Sequence, residues 1–405
     1  MRARGGCRVS RSLRIAILAH SINPRGGVVH ALALGEALTA LGHEAVVHAP
    51  ARPGQRFFRE PACETVLVPA EASGEGLAAL VEIRVGDYVA HFEKGTSRGF
   101  DVYHAHDGIS GNALATLKAR GAITGFARTV HHVDAFADPH IEALQARSIV
   151  EADRHFVVSR HWQTGLREGF GLNADIVGNG VDRRFFTPRR DGREQDLRRS
   201  LGFGSGPVLL AVGGVEERKN TLRMLQAFAQ LRAIWPNAQL VIVGGASLLD
   251  HAGYQRAFRA ELEADPATAR CVILAGPQLQ ADMPALYRLA DALVFASVKE
   301  GFGLVALEAL ACGTPVLTSH IPPFTEHFGQ DDVVWCDPLD PGSIANGMAA
   351  VLMPALRGRL ELHREAALAL HRWDRTAGAH LPAYRALATM TLPEAEPAPQ
   401  ELAHA

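Results

Sequence analysis

RIAILAHSINPRGGVVHALALGEALTALGHEAVVHA, residues 14–49, decides the fold. Its first six residues, an arginine and then the apolar run 15–19, have the length of one strand, and His20 to Gly27 form a glycine-bearing loop. From Val28 to Leu41 the residues Val28, Leu32, Leu38 and Leu41 recur at helical spacing, and Gly42 supplies a left-handed cap. Glu44 to Ala49 reads as a second strand. Strand, turn, helix, glycine and strand in that order make a βαβ unit, which implies a parallel sheet.

The pattern returns in the second half. Val208 to Val212 is strand-like, Gly213-Gly214 opens a loop, and Asn220 stands where a helix cap is expected. Leu222, Leu225, Phe228 and Leu231 follow at helical spacing, Pro236 stops the helix, and Leu240 to Val243 is the next strand. Further on, Ala292 to Ala296 reads as a strand, Leu304 to Ala311 as a helix ending at Gly313, and Pro315 to Thr318 as a strand. Two such series predict an α/β protein with two doubly wound, Rossmann-like domains. The stretch from Asp182 to Gly206 shows the weakest periodicity and is read as the linker. The expected division is a disordered leader over 1–13, a first domain over 14–185, a second over 186–370, a helix over 371–390 and a disordered tail over 391–405. Open parallel sheets bind ligands beyond the carboxyl ends of their strands, which in two facing domains is the cleft between them.

Composition sets the outer limits. The 405 residues are 47% apolar, enough for more than one core, and the formal net charge is −2. Neither half carries the positive excess needed to grip nucleic acid non-specifically. Apolar runs are broken by glycine and charge before reaching the ~18 residues of a membrane span. Five scattered cysteines without a C-x-x-C pair argue against a disulfide framework or a zinc ribbon, and a reducing cytoplasm fits best. The first fourteen residues carry five arginines and no acid, but no apolar segment with a cleavage site marks them as a targeting peptide.

Three segments could carry chemistry. SVKEGFGLVALEALACGTP, residues 297–315, puts Glu300 at the end of a buried strand and Gly301 and Gly303 where the backbone must turn tightly. A helix follows with its first amides free, an arrangement that favours an anion. Glu308 interrupts an otherwise apolar helix, and two carboxylates at this spacing suit recognition of vicinal diols such as those of sugars and ribose. GGVEERKN, residues 213–220, lies between strand and helix, so Lys219, Arg218 and helix amides can converge on a diphosphate, although taken alone the segment reads first as a charged surface turn. Arg25-Gly26-Gly27 at the first strand–helix turn again allows close backbone approach, but lacks the G-x-G-x-x-G spacing of a nicotinamide fingerprint. His104-Ala105-His106 puts two histidines at alternate positions of a strand end, where metal hydrolases can share a metal; no further ligand set accompanies the pair, so no metal is expected. His132, His155 and His161 read as satisfied polar or core residues.

Glu300 to Glu308, with Gly313-Thr-Pro315, resembles the E-x7-E segment of the retaining family 4 (group 1) glycosyltransferases of GT-B architecture. The resemblance runs from about residue 14 to 388. It is supported in order by Gly26-Gly27, Gly42-His43, Asp101 to His106, Thr129-Val-His131, Val158-Ser159, Asn179 to Asp182, Lys219, Ala290-Asp291 and Trp373-Asp374. The joint occurrence is specific even though each piece alone is weak.

The resemblance implies two facing Rossmann-like domains whose C-terminal helices cross back to the first. It implies a transferase moving a sugar from a nucleoside diphosphate sugar (UDP- or GDP-sugar) to an acceptor hydroxyl, with retention, without metal or other cofactor, by front-face displacement. Lys219, helped by Arg218, would bind the diphosphate, Glu308 the ribose diol, and Glu300 the transferred sugar. Amides of Gly301, Phe302, Gly303 and Leu304 would support sugar and phosphates. His106 and the Gly26-Gly27 loop would face the reacting centre from the first domain. One departure stands out: where many members have Arg after the glycine matching Gly213, this sequence has Gly214. The acceptor, whether glycan, lipid or small molecule, is not legible in the loops around Glu60 to Gly99. A lipid acceptor would bring peripheral membrane contact. A GT-B epimerase and a non-catalytic nucleotide-sugar-binding subunit are the alternatives.

Overall fold

The structure is a computed structural model that describes residues 11–70, 76–94, 99–245 and 251–391. The expected leader up to residue 10, the tail from residue 392 and parts of the loops around Glu60 to Gly99 lie outside them. Among the described residues, thirteen strands form two fully parallel sheets. The first contains β1 (Arg14–Leu18), β2 (Glu44–Ala51), β3 (Glu64–Pro69), β4 (Val102–Ala105), β5 (Ala127–Val130), β6 (Arg154–Val157) and β7 (Asp175–Ile176), in the order β3-β2-β1-β4-β5-β6-β7. The second contains β8 (Val208–Val212), β9 (Gln239–Val243), β10 (Val272–Gly276), β11 (Ala292–Phe295), β12 (Val316–Ser319) and β13 (Val334–Cys336), in the order β10-β9-β8-β11-β12-β13. Ile15 and Ile17 enter one core layer while Ala16 and Leu18 enter the other, as side chains alternate along a strand. Leu209 and Ala211 separate from Val208 and Leu210 in the same way.

In each sheet the chain winds outward in both directions from a central pair, β1 with β4 and β8 with β11. Those pairs are the switch points, where the following loops diverge and leave a crevice at the carboxyl ends. The loops after β1, β4, β8 and β11 carry nearly all the candidate site residues, so the winding alone gathers them.

Several boundaries differ from the sequence reading. The first helix is Gly26–Ala40, so Gly26 and Gly27 open it rather than precede it. Leu13, expected in the leader, is buried, and its amide donates to His43 Nδ1, so the first domain takes up the chain earlier than residue 14. The supposed linker contains the helix Arg193–Ser200. Its anchor is ionic: buried Glu194 accepts from Arg288 Nε at 2.6 Å, and Asp191 lies 3.0 Å from Arg288 Nη2. A helix held that way has no apolar stripe to reveal it.

The last described helix, Trp373–Leu387, packs on the first domain, where Ala377, Tyr384 and Leu387 join the core of β1 and β2. A further apolar layer is common to both domains, uniting Val130, Val157 and Trp162 with Phe295, Phe302 and Phe324. No described helix is long and apolar enough to cross a membrane.

Candidate active site

Beyond β11 the chain turns tightly before the helix Leu304–Ala311. Gly303 has φ +98°, and a Cβ there would lie 2.6 Å from the Phe324 ring, so only glycine fits. A Cβ on Gly301 would lie 2.6 Å from the carbonyl oxygen of His131, a first-domain residue, so this turn touches the opposite wall of the cleft. The helix starts without a side-chain cap or an acid in its first turn, which leaves the amides near Gly303 and Leu304 available to an anion.

Glu300 is buried, and its Oε1 accepts from Lys219 Nζ at 2.5 Å and from Arg218 Nη1 at 3.2 Å. Burial pushes this carboxyl up, but the Lys219 ammonium and Arg218 guanidinium outweigh it and hold the group below the usual carboxylate range. Burial lowers Lys219, and Glu300 offsets part of that. The ammonium also sits 4.8 Å from the Phe295 ring centroid. Gly213 makes room for the lysine stem, since a Cβ there would fall 2.6 Å from Lys219 Cε. Glu216, fully buried and not singled out from sequence, stands 3.4 Å from Arg218 Nε and 3.8 Å from His251 Nε2.

The departure at Gly214 has a steric reason. Its φ is +75°, and a Cβ would sit 2.9 Å from the carbonyl oxygen of Gly245, so an arginine cannot occupy this position without moving the Gly244-Gly245 loop. The second cation beside Lys219 is Arg218.

Asn220 does not cap its helix. It has φ +62°, and its Nδ2 donates to the carbonyls of Ala296 (2.9 Å) and Pro338 (2.6 Å). It thereby ties the Lys219 turn to the Glu300 turn. A backbone bond from Val298 N to Arg218 O adds a second tie at 3.0 Å.

Glu308 does not join this cluster. Its Oε2 accepts from the hydroxyl of Tyr287 at 2.7 Å, and burial pushes the carboxyl up to about 7. Tyr287, itself fully buried, accepts through its backbone carbonyl from Thr314 Oγ1. No sequence signal marks Tyr287, because its partner lies 21 residues away on another helix.

On the first-domain side, His106 is buried, with Nδ1 3.2 Å from His131 Nε2 and Nε2 making no hydrogen bond. Burial, then the neighbouring histidines, keep both rings well below the ordinary histidine range, so they are neutral near pH 7. A Cβ on Gly27 would lie 3.3 Å from the His131 ring, whereas Gly26 has open space. His131 is therefore the link: its ring meets His106 and Gly27, and its carbonyl meets Gly301. His104, by contrast, is committed to the fold, with Nδ1 2.7 Å from Tyr384 Oη and Nε2 2.8 Å from Thr129 Oγ1. Among the described residues no group of three or more His, Cys, Asp or Glu side chains could hold a metal ion.

Two α/β domains thus face each other, with an acid–base cluster on one wall and a glycine–histidine wall opposite. Residues 25–180 match the family described as glycosyl transferase 4-like domain, and residues 193–360 match glycosyl transferases group 1. The D-inositol 3-phosphate glycosyltransferase of Acidothermus cellulolyticus is 31% identical over 307 residues, 71% of this chain and 67% of that protein. The enzyme of the same name from Actinosynnema mirum is 30% identical over 314 residues, 70% and 72% of the two chains. Among solved structures, sucrose-phosphate synthase from Thermosynechococcus elongatus superposes with a TM-score of 0.74 at 23% identity, covering 93% of this chain and 99% of that one. Anabaena HepE, solved with UDP and glucose, gives 0.72 at 16% identity, covering 93% and 100%. At these identities the structural likenesses speak for the GT-B fold. The chain belongs to the group 1 glycosyltransferases, a class that transfers sugars from nucleotide-sugar donors.

Proposed function

We propose that this glycosyltransferase moves a hexose from a nucleoside diphosphate sugar to an acceptor hydroxyl with retention and without a metal ion. The carrying observation is the buried Lys219–Glu300 pair with half-buried Arg218 beyond the ends of β8 and β11, in contact through Gly301 with the His131–His106–Gly27 wall. A departing nucleoside diphosphate needs its developing negative charge stabilised, and Lys219, Arg218 and the free amides at Gly301, Phe302, Gly303 and Leu304 supply that. The incoming diphosphate takes Lys219 and releases Glu300 to the sugar hydroxyls. The acceptor oxygen bonds the anomeric carbon on the face the diphosphate leaves, the bonding electrons depart with the phosphate oxygen, and the acceptor proton follows them. His106, neutral at pH 7, lines the reacting centre with Gly26 and Gly27.

A thermal-shift series with UDP-, GDP- and ADP-glucose identifies the donor, because mass action stabilises the fold only with a ligand it binds. D-inositol 3-phosphate, named in the relatives above, is the first acceptor to try. NMR of the product is expected to show the donor's anomeric configuration, formed at full rate in EDTA. An inverted product, or activity lost in EDTA and restored by Mn²⁺, overturns the reading. New sugar products from donor alone indicate an epimerase instead.

Glu308 adds a pH dependence. Its carboxyl, at about 7, is protonated in mild acid and charged above neutrality. A carboxylate accepts two ribose hydroxyls better than the acid does, so donor affinity is expected to tighten by up to about tenfold from pH 6 to 8. Calorimetric titration of wild type and Glu308→Gln checks this, and the variant's profile should be flat.

A further inference from the structure

We propose that Trp162 of the first domain is a positioning residue for Glu300, so that the donor site is complete only while the two domains touch. The proposal rests on the reading of Glu300 as the sugar-contacting residue. Trp162 belongs to the helix Arg160–Phe170, whose start is fixed by Ser159 accepting from the Trp162 amide. The indole is buried, and its Nε1–H donates across the cleft to the backbone carbonyl of Glu300 at 3.2 Å. Indole N–H is a donor only, so this is the single hydrogen bond it can make. Glu300 is thus held at two points: by Lys219 and Arg218 at its carboxylate, within its own domain, and by Trp162 at its carbonyl, from the other.

The surroundings reinforce this contact. Lys299, next to Glu300, donates to the Val133 carbonyl at 2.7 Å and places its ammonium 5.9 Å from the Trp162 ring centroid. From the donor side the Glu326 carboxylate accepts from the amides of Arg160 (2.7 Å) and His161 (2.8 Å) at the start of the same helix, where its charge also suits the helix dipole. Holding the Glu300 carbonyl fixes the peptide plane between Glu300 and Gly301, and with it the direction of the side chain and of the next amide. A misplacement of ~1 Å at such a group costs catalysis heavily.

The test compares two affinities. Calorimetry measures binding of the glucose nucleotide selected by thermal shift and of its bare nucleoside diphosphate. Wild type should bind the sugar nucleotide more tightly, through Glu300. In Trp162→Phe that advantage is expected to shrink about tenfold while the bare diphosphate binds within twofold of wild type. An unchanged advantage, or an equal loss for both ligands, overturns the proposal. Glu326→Gln, at an exposed position, loosens the same helix without touching the core and covers the case in which Trp162→Phe fails to fold. It should shift the advantage in the same direction, and no shift overturns the proposal. Glu300→Gln separates the two levels: if it keeps the full sugar advantage, the role of Glu300 itself is wrong.

Discussion

Lys219→Ala is expected to abolish transfer, lowering the rate by about 10³-fold or more, because on the proposed function it removes a cation that stabilises the leaving diphosphate. Glu300→Ala should be as damaging to turnover. The consequences for folding differ from what the sequence alone suggests, since neither residue looks like part of a core, yet they form a buried ion pair. Glu300→Ala strands the ammonium of Lys219, a residue only 8% exposed, and breaking such a pair costs about 3–5 kcal/mol. Lys219→Ala is milder, because Arg218 still reaches Glu300 at 3.2 Å. The double variant Lys219→Met/Glu300→Gln removes both charges and should melt closer to wild type than Glu300→Ala does, while remaining inactive. Recovery of stability without activity separates the structural from the catalytic cost, and a double variant that transfers sugar would remove the pair from the site. Lys219→Arg should also fail, since a planar guanidinium cannot take the compact ammonium's place beside Phe295.

The second large effect is acid lability. His30, His48 and His380 are buried with side chains neutral, the first two lowered to about 3 and His380 to about 4, in each case chiefly by burial. Neighbouring charge adds to this: His380 acts on His30, and His91 and Arg14 act on His48. Their unfolded values lie near 6.5, so below that pH the unfolded chain takes up protons that the fold refuses. Stability is therefore intact above about pH 6.5 and falls as pH drops toward 4. Each group costs about 1.4 kcal/mol per pH unit, roughly 4 kcal/mol for the three at pH 5.5. Against a typical total of about 5–15 kcal/mol that is a large share. Thermal melts from pH 7.5 to 5 should show Tm falling by several degrees below pH 6, and His380→Gln should make the decline shallower. A flat Tm across that range would mean these rings are protonated in the fold. The carboxylates held low by their partners, Asp107 and Glu300, lose their contribution only in stronger acid.

What can be read from sequence follows from period and punctuation. The alternation of strand and helix from Arg14 onward, and again from Val208, points to the parallel sheets, because each signal lies within a few residues of the next. The Glu300 turn is legible for the same reason: its glycines, acids and helix are contiguous. Partners that meet from afar are not. Tyr384 reaches His104 from 280 residues away, Trp162 reaches Glu300 from 138, and no periodicity encodes such pairings. The helix at 193–200 is hidden because ion pairs rather than an apolar stripe hold it. Asn220 misleads because its residue type suits a cap, whereas its left-handed backbone frees the side chain to bind two carbonyls of neighbouring segments.

The sharing of one Glu300 oxygen by Lys219 and Arg218 has a consequence for selectivity. With Glu216 beside Arg218, two acids face two bases and the cluster carries its own counterions. A stray inorganic anion entering it must displace a carboxylate already in place and brings nothing for that carboxylate to bind in return. A glycosylated diphosphate brings both halves of the exchange, the anion for the bases and the hydroxyls for the acid. On the proposed function, discrimination between the donor and inorganic phosphate would follow from this arrangement, an occupied seat that a two-part ligand exchanges on even terms.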